Sequence, residues 1–186
     1  MESDLIRLAQ AGDDAAFETL MRQHQEAVFR LAYLLLGDTD EAEDTAQETF
    51  IRAHRYLKRF DGVRPLRPWL LRITANLAHN RRRALGRYFN AVQRMFRDNP
   101  TARNIETESR ERWESQELWE AVCKLSSDDQ KVIYLRFFLE LPIAETAEIL
   151  DVAEGTVKSR LNRALKRLKG VVLRDFPLLY EGENYD

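Results

Sequence analysis

The chain has 186 residues, of which 44% are apolar, so it can form one large or two small domains, and its single cysteine cannot make an internal disulfide. The formal net charge of -2 conceals a strong segregation: residues 38–48 hold six acids and no base, and residues 64–97 hold nine arginines and no Asp, Glu or Lys. The local charge of each segment, rather than the net charge of the chain, is therefore expected to determine which molecules bind to it. No apolar run approaches the length of a membrane span and the acidic N-terminus lacks a signal-peptide pattern, so we expect a cytoplasmic protein without direct membrane insertion.

The first helices follow from apolar spacing and from their end signals. A short helix is predicted near the start, then an interruption at Gly12 and a long helix that ends at Gly37, because glycine favours the left-handed conformation found after helix ends. Asp38 is predicted to cap the next helix. The core side of that helix is expected to be Ala42, Ala46, Thr49 or Phe50, Ala53, Leu57 and Phe60.

The opposite side of this helix places one isoleucine among charged and polar residues: Asp44, Gln47, Glu48, Ile51 and Arg55. An apolar side chain in such surroundings suggests a surface that docks on another protein. Single exposed apolar residues are also common, so the pattern leaves both interpretations open.

A loop over residues 61–67 leads to a helix that Pro68 is expected to open, because proline suits the first turn. Its core side is predicted to be Leu70, Ile73 and Leu77. A second stripe combines cationic, flat and amide side chains: Arg67, Trp69, Arg72, Asn76, His79, Arg82 and Arg83. Arginines that neutralise phosphates beside flat side chains that stack on bases are typical of single-stranded DNA binding. Trp69 could instead be a core residue beside solvated arginines.

Helical periodicity weakens beyond residue 90, and this divides the chain. We expect a first domain over residues 1–95, a linker over 96–114, a second helical domain over 115–174 and an acidic tail over 175–186. The tail could fold back on the basic helix before it or lie free.

The second domain ends in a helix-turn-helix pattern. One short helix begins near Pro142, and Asp151 stands in the turn, where Asp tolerates the left-handed conformation better than most residues. The outward side of the final helix is Thr156, Lys158, Ser159, Arg160, Asn162, Arg163 and Lys166, with Arg167 behind them. Residues 158–174 hold seven basic side chains and no acid, which favours duplex DNA in the major groove over a merely solvated helix face.

No segment alternates as a strand would, so the predicted fold class is all-α, with two small helical domains joined by a linker, of which the C-terminal one is a four-helix helix-turn-helix domain. The sequence has no phosphate-binding glycine loop, no paired cysteines and no nucleophile motif. We therefore expect no catalytic residues, no metal ligands, no cofactor and no enzymatic activity of its own.

Four segments, in this order and spacing, resemble the extracytoplasmic function (ECF) group of bacterial sigma factors in the sigma-70 family. They are LIRLAQAGDDAAFETL, DTDEAEDTAQETFIRAHRYLKRF, WLLRITANLAHNRRR and LPIAETAEILDVAEGTVKSRLNRALKRLK. The resemblance covers nearly the whole chain. It implies a protein that binds core RNA polymerase and directs promoter recognition, DNA melting and transcription initiation.

The resemblance also implies a role for each segment. The helix over residues 40–60 would dock on the clamp helices of the polymerase largest subunit, and the loop and helix over residues 61–83 would hold the melted minus-ten element. The final helix-turn-helix would read the minus-thirty-five element and touch the polymerase flap. Family habit adds a possible anti-sigma factor as a partner.

A stand-alone helix-turn-helix regulator is the alternative, with the N-terminal half as an effector or dimerisation module. The arginine-rich stretch and the acidic docking helix argue against it, because a ligand-sensing module requires neither.

Overall fold

The computed structural model describes residues 2–62, 64–95, 110–177 and 179, and, within these, the side chains outside 85–95 and 110–116. These residues form helices and no strands, as the predicted fold class requires. The helices are α1 (Glu2–Gln10), α2 (Asp14–Leu36), α3 (Thr39–Tyr56), α4 (Leu66–Met95), α5 (Arg110–Cys123), α6 (Ser127–Ile133), α7 (Ile143–Leu150) and α8 (Glu154–Asp175). Among the described residues, no helix is both long enough and apolar enough to cross a bilayer.

The first unit packs α1, α2, α3 and α4 together, and the predicted end signals set its helix boundaries. Gly37 adopts the left-handed conformation at φ 72° and its N–H donates to the carbonyl of Tyr33. The carboxylate of Asp38 then accepts the N–H of Glu41 and caps α3. On α3 and α4, the buried hydroxyls of Thr49 and Thr74 lie 3.3 Å apart, so these helices approach closely.

The core side of α4 differs from the prediction. Leu70 is buried, but Ile73 and Leu77 are only half-buried. The fully buried positions also include Leu66, Leu71, Thr74, Ala75 and Ala78. The physical reason is that α4 is covered on two sides, by α2 and α3 on one and by α7 on the other. The helix also begins at Leu66, so Pro68 occupies its first turn, where the missing N–H needs no acceptor.

The second unit packs α8 against α5, α6 and α7, and a π-helical turn over Tyr134–Phe138 continues α6. The ring of the fully buried Tyr134 stacks on Trp119 at 5.4 Å and meets Phe138 edge-on at 5.5 Å. This aromatic cluster anchors the π-helical turn to α5.

The helix-turn-helix turn has the predicted left-handed aspartate, with Asp151 at φ 56°. Its N–H donates to the carbonyl of Glu148, and the N–H of Val152 donates to that of Ala147. This is a Schellman motif built without glycine. Pro142 precedes α7 as its N-cap residue rather than lying in the first turn.

The predicted linker and tail lie mostly outside the described residues. Residues 96–109 of the linker are outside them, and α5 begins at Arg110, inside the range predicted as linker. Of the tail, residues 178 and 180–186 are outside the described part. The beginning of the tail folds back on the end of α5: Lys124 Nζ lies 2.9 Å from Asp175 and 4.6 Å from the ring centre of Phe176.

The two units pack directly on each other. α4 contacts α7, and α2 contacts the π-helical turn, so buried apolar residues form one continuous cluster across both units. This arrangement brings side chains of the second unit onto the basic stripe of α4.

Candidate nucleic-acid and protein interfaces

The outward side of α8 is available to a ligand over most of the predicted residues. Lys158, Ser159, Asn162, Arg163 and Lys166 are exposed, and Thr156 and Arg160 are half-buried. The Ser159 hydroxyl donates to the carbonyl of Thr156, and Arg163 Nε donates to the carbonyl of Ser159. These bonds hold the two side chains along the helix and leave the remaining guanidinium donors of Arg163 pointing away from the backbone.

Arg167 has a different environment from its basic neighbours. Its guanidinium donates to Asp129 at 2.7 Å, and the Asp129 side chain is only 7% exposed. The same carboxylate oxygen accepts the hydroxyl of Ser126, the N-cap residue of α6. Arg167 therefore fastens α8 to the start of α6, which spacing along α8 alone could not reveal.

The stripe on α4 is divided between solvent and the second unit. Asn76 and Arg83 are exposed. Three other members contact the second unit, and each of these contacts joins residues far apart in the sequence. Arg72 lies 2.8 Å from Asp151, Arg82 donates to Gln130 at 2.6 Å, and His79 Nδ1 lies 3.4 Å from Lys131 Nζ.

The charges around His79 disfavour its protonated form. Lys131 has the largest effect, followed by burial and by Arg83 and Arg82, and together they hold the pKa of His79 below its usual value despite the opposing effect of Asp128. Contact between the two units therefore favours the neutral form of His79 among the arginines of the stripe.

A cavity of about 220 Å³ lies where the loop before α4 meets that helix. Its lining is Arg59, Phe60, Asp61, Arg64, Pro65, Pro68, Trp69, Arg72 and, from α7, Glu148. The volume is below that of sites for drug-sized ligands, and a single nucleobase is the kind of group it suits. Its cationic rim would face a phosphate.

Two predicted stripe residues lie away from the exposed part of α4. Trp69 is half-buried, and its ring packs on Phe60 with centres 5.0 Å apart, so it is a wall of the cavity and part of the core. Arg67 is half-buried and lines a separate cavity between α2 and the π-helical turn, beside Arg30 and Glu140.

A groove of about 970 Å³ runs between α2 and α3. Gln47 and Ile51 line it, and Ile51 is 47% exposed. The other three predicted docking residues do not line this groove. Glu48 pairs with Arg52, Arg55 is exposed, and Asp44 pairs with Arg81 of α4, which also contacts Glu41.

Sequence reasoning missed the α2 side of this groove. Phe17 and Met21 of α2 are half-buried and line the groove with Phe29 and Phe50. The available signal was a second, mainly apolar stripe on α2, at positions 17, 21, 25 and 29. It lies beside the stripe that packs into the core and so widens the apolar side of the helix. The result is an apolar surface with a polar rim, which is typical of a protein-binding site.

Two family models match this chain. The family model "Sigma-70 region 2" matches residues 20–88, and "Sigma-70, region 4" matches residues 115–168. The two matches include the stripe of α4 and the helix-turn-helix up to Leu168 of α8, and they define the class of protein as a sigma-70-type sigma factor.

Similar whole chains narrow the class to one group. The ECF RNA polymerase sigma factor SigW of Bacillus subtilis is 30% identical, over 88% of this chain and 92% of the relative. The ECF RNA polymerase sigma factor SigL of Mycobacterium tuberculosis is 31% identical, over 87% of this chain and 91% of the relative. This chain belongs to the ECF RNA polymerase sigma factors. The family predicted from the sequence is confirmed, and a stand-alone regulator is not favoured.

Solved structures of sigma factors share the fold over both units. CnrH in complex with the cytosolic domain of CnrY has a TM-score of 0.70 at 25% identity, covering 94% of this chain and 98% of the other. RpoE in complex with the anti-sigma factor NepR from Bartonella quintana has a TM-score of 0.66 at 26% identity, covering 86% and 98%.

Proposed function

We propose that this sigma factor joins core RNA polymerase to promoter DNA through three surfaces, one for the enzyme and two for the DNA. The apolar groove between α2 and α3 takes the polymerase. The α8 face takes the minus-thirty-five element as duplex, and the α4 stripe takes the minus-ten element after melting. The groove and the α4 stripe belong to a domain over residues 1–95, and the α8 face belongs to a domain over residues 115–174. Residues 96–114 connect the two domains, and residues 175–186 form a tail.

The observation that carries this proposal is the groove beside Ile51. It combines apolar walls with polar and charged residues, which suits a protein partner, and binding to DNA alone would leave this surface without a role. The clamp helices of the polymerase largest subunit would bury Ile51, Gln47 and the α2 aromatics, while Asp44, Glu48 and Arg55, elsewhere on α3, would contact charged groups of the polymerase.

Duplex recognition follows from the side chains of α8. Arg160, Arg163 and Asn162 carry donors that suit base edges in the major groove, and Lys158 and Lys166 suit phosphates. Arg167 is excluded from this set because Asp129 already holds it.

Capture of the melted strand follows from α4 and the cavity beside it. Arg72, Arg82 and Arg83 would neutralise phosphates, Asn76 offers an amide to a base edge, and the cavity walled by Trp69 and Phe60 would hold an unstacked base. The protein would hold the separated strand while the polymerase carries out all the chemistry, so it needs neither catalytic residues nor a cofactor of its own. We place this work in the cytoplasm.

An anti-sigma factor is a proposed further partner. The sigma factor RpoE described above, whose fold matches this chain, was solved with the anti-sigma factor NepR bound, and CnrH was solved with the cytosolic domain of CnrY. An anti-sigma factor that held the units together would keep the α4 stripe covered.

The test of the polymerase surface is an Ile51→Asp substitution. Fully burying an isoleucine contributes about 1.5–3 kcal/mol, and roughly half of this remains to be gained at Ile51 on docking. Burying an unpaired carboxylate instead adds a penalty of several kcal/mol. We expect the affinity for purified bacterial core polymerase to fall by at least about a hundredfold.

The matched control is Leu8→Asp, because Leu8 is 50% exposed on α1 and does not line the groove. Leu8→Asp should bind polymerase like the wild type, and circular dichroism should confirm that both variants fold. Equal loss in both variants, or none in Ile51→Asp, would exclude the groove as the docking surface.

A further inference from the structure

The second unit covers the α4 stripe with side chains that match it. At one end Asp151 pairs with Arg72 at 2.8 Å, and at the other Gln130 accepts from Arg82 at 2.6 Å. Between them Lys131 lies against the ring of His79. The three contacts follow one side of α4 over almost three turns, so they form a continuous interface.

Two acids at the end of α7 lie beside arginines of the first unit. Glu148 of α7 lines the cavity that also contains Arg59, Arg64 and Arg72, and Asp151, the residue that ends α7, pairs with Arg72 directly. Arg64 in this cavity also has a partner within the first unit, because it pairs with Asp61 at 3.5 Å. Glu148 and Asp151 therefore add negative charge beside arginines that would attract a phosphate.

The Gln130 contact is built into the second unit. Its side-chain nitrogen donates to the carbonyls of Cys123 and Leu125 at 2.8 and 3.0 Å. These bonds orient the amide, so its oxygen points at Arg82 without any adjustment. The residue is 1% exposed, so this orientation is fixed by packing.

We propose that the acidic edge formed by Glu148 of α7 and Asp151 of the turn after it is an internal substitute for single-stranded DNA, which shields the α4 stripe until promoter or polymerase displaces it. This rests on the proposed role of α4 in binding the melted strand. The residues lining the α2–α3 groove all come from the first unit, and the α8 face remains exposed. The closed form can therefore dock on polymerase and read duplex DNA, but it binds a separated strand less tightly than an open form would, because Arg72 and Arg82 are already paired with the second unit.

The contact between Asp151 and Arg72 is weak enough for a nucleic acid to displace it. Arg72 and Asp151 are 41% and 73% exposed, and solvent-exposed ion pairs shift an equilibrium by about fivefold at most. Such contacts are screened by salt and yield to a ligand that brings several phosphates at once.

The experiment uses the full chain with Glu148→Gln and Asp151→Asn together. Asparagine keeps the tolerance of Asp151 for its left-handed conformation, so the turn is preserved. The control variant carries Glu120→Gln and Glu154→Gln, which remove the same charge from two exposed acids of the second unit. Small-angle scattering measures the radius of gyration, and fluorescence anisotropy measures affinity for oligothymidylate and for a random duplex of equal length.

We expect the Glu148/Asp151 variant to have a larger radius of gyration and to bind oligothymidylate about two- to fivefold more tightly than wild type and control, with duplex affinity unchanged relative to the control. A radius and a single-strand affinity equal to those of the control would overturn the shield and leave the proposed function intact, provided that holoenzyme still binds oligothymidylate. If neither the free chains nor their complexes with core polymerase bind the single strand, the role of α4 fails and the shield fails with it.

Discussion

Arg167 and Arg163 lie one turn apart on the same basic helix, but removing them should have opposite consequences. Arg167→Ala breaks the 2.7 Å contact with Asp129, whereas Arg163→Ala removes a guanidinium whose only hydrogen bond within the described part of the chain goes to a carbonyl of its own helix. We expect Arg167→Ala to lower the stability of the second unit and Arg163→Ala to weaken duplex binding.

The size of the stability effect follows from the exposure of the two partners. A hydrogen bond to a charged group contributes about 1.5–3 kcal/mol, and a fully exposed ion pair about 0.2–1 kcal/mol. The Asp129 side chain is 7% exposed but that of Arg167 is 58% exposed, so solvent screening reduces the pair to about 1 kcal/mol. Asp129→Ala should cost about 2 kcal/mol, because it also removes the bond from the Ser126 hydroxyl at the start of α6.

The assay combines urea unfolding with duplex binding for Arg167→Ala, Asp129→Ala, the double variant and Arg163→Ala. The double variant should be more stable than additivity predicts, by the coupling energy of about 1 kcal/mol. Arg163→Ala should leave the unfolding midpoint nearly unchanged and cost about 1–3 kcal/mol in binding to a promoter duplex if it meets a base. An unchanged midpoint for Arg167→Ala, together with a loss of binding as large as that of Arg163→Ala, would refute the structural role of Arg167.

Two further predictions concern the α4 stripe. Separation of the units would remove Lys131, the largest cause of the low pKa of His79, so the pKa would rise toward its usual value. Protons therefore bind the open form more tightly, and the closed form should be favoured at higher pH and lost as the pH falls through the pKa of His79. Small-angle scattering at two pH values should show a larger radius of gyration at the lower pH. His79→Gln should abolish the part of this increase that depends on His79. An increase in the variant equal to that of the wild type would contradict the assignment. Asn76→Ala combined with Arg83→Ala should reduce promoter opening more than closed-complex formation, because both side chains are exposed on the stripe proposed to bind the separated strand. Permanganate footprinting measures promoter opening, and a gel-shift assay measures closed-complex formation. Equal losses in the two assays would count against this role.

The fold could be predicted from the sequence wherever a local signal determined it. Gly37 and Asp38 marked the break between α2 and α3 because one takes the left-handed conformation and the other caps a helix, and both depend on a few neighbouring residues. Asp151 marked the helix-turn-helix turn for the same reason. The basic outward side of α8 also followed from helical spacing alone.

Only the tertiary structure decided which polar and apolar side chains are free to act. Arg167 and Asp129 are 38 residues apart in sequence, and the docking groove takes one wall from α2 and the other from α3. The cover on the α4 stripe comes from Asp151, which belongs to the other unit. Periodicity along one helix identifies which residues share a side of that helix, but the burial of a side depends on which distant element packs against it, and no local pattern contains that information.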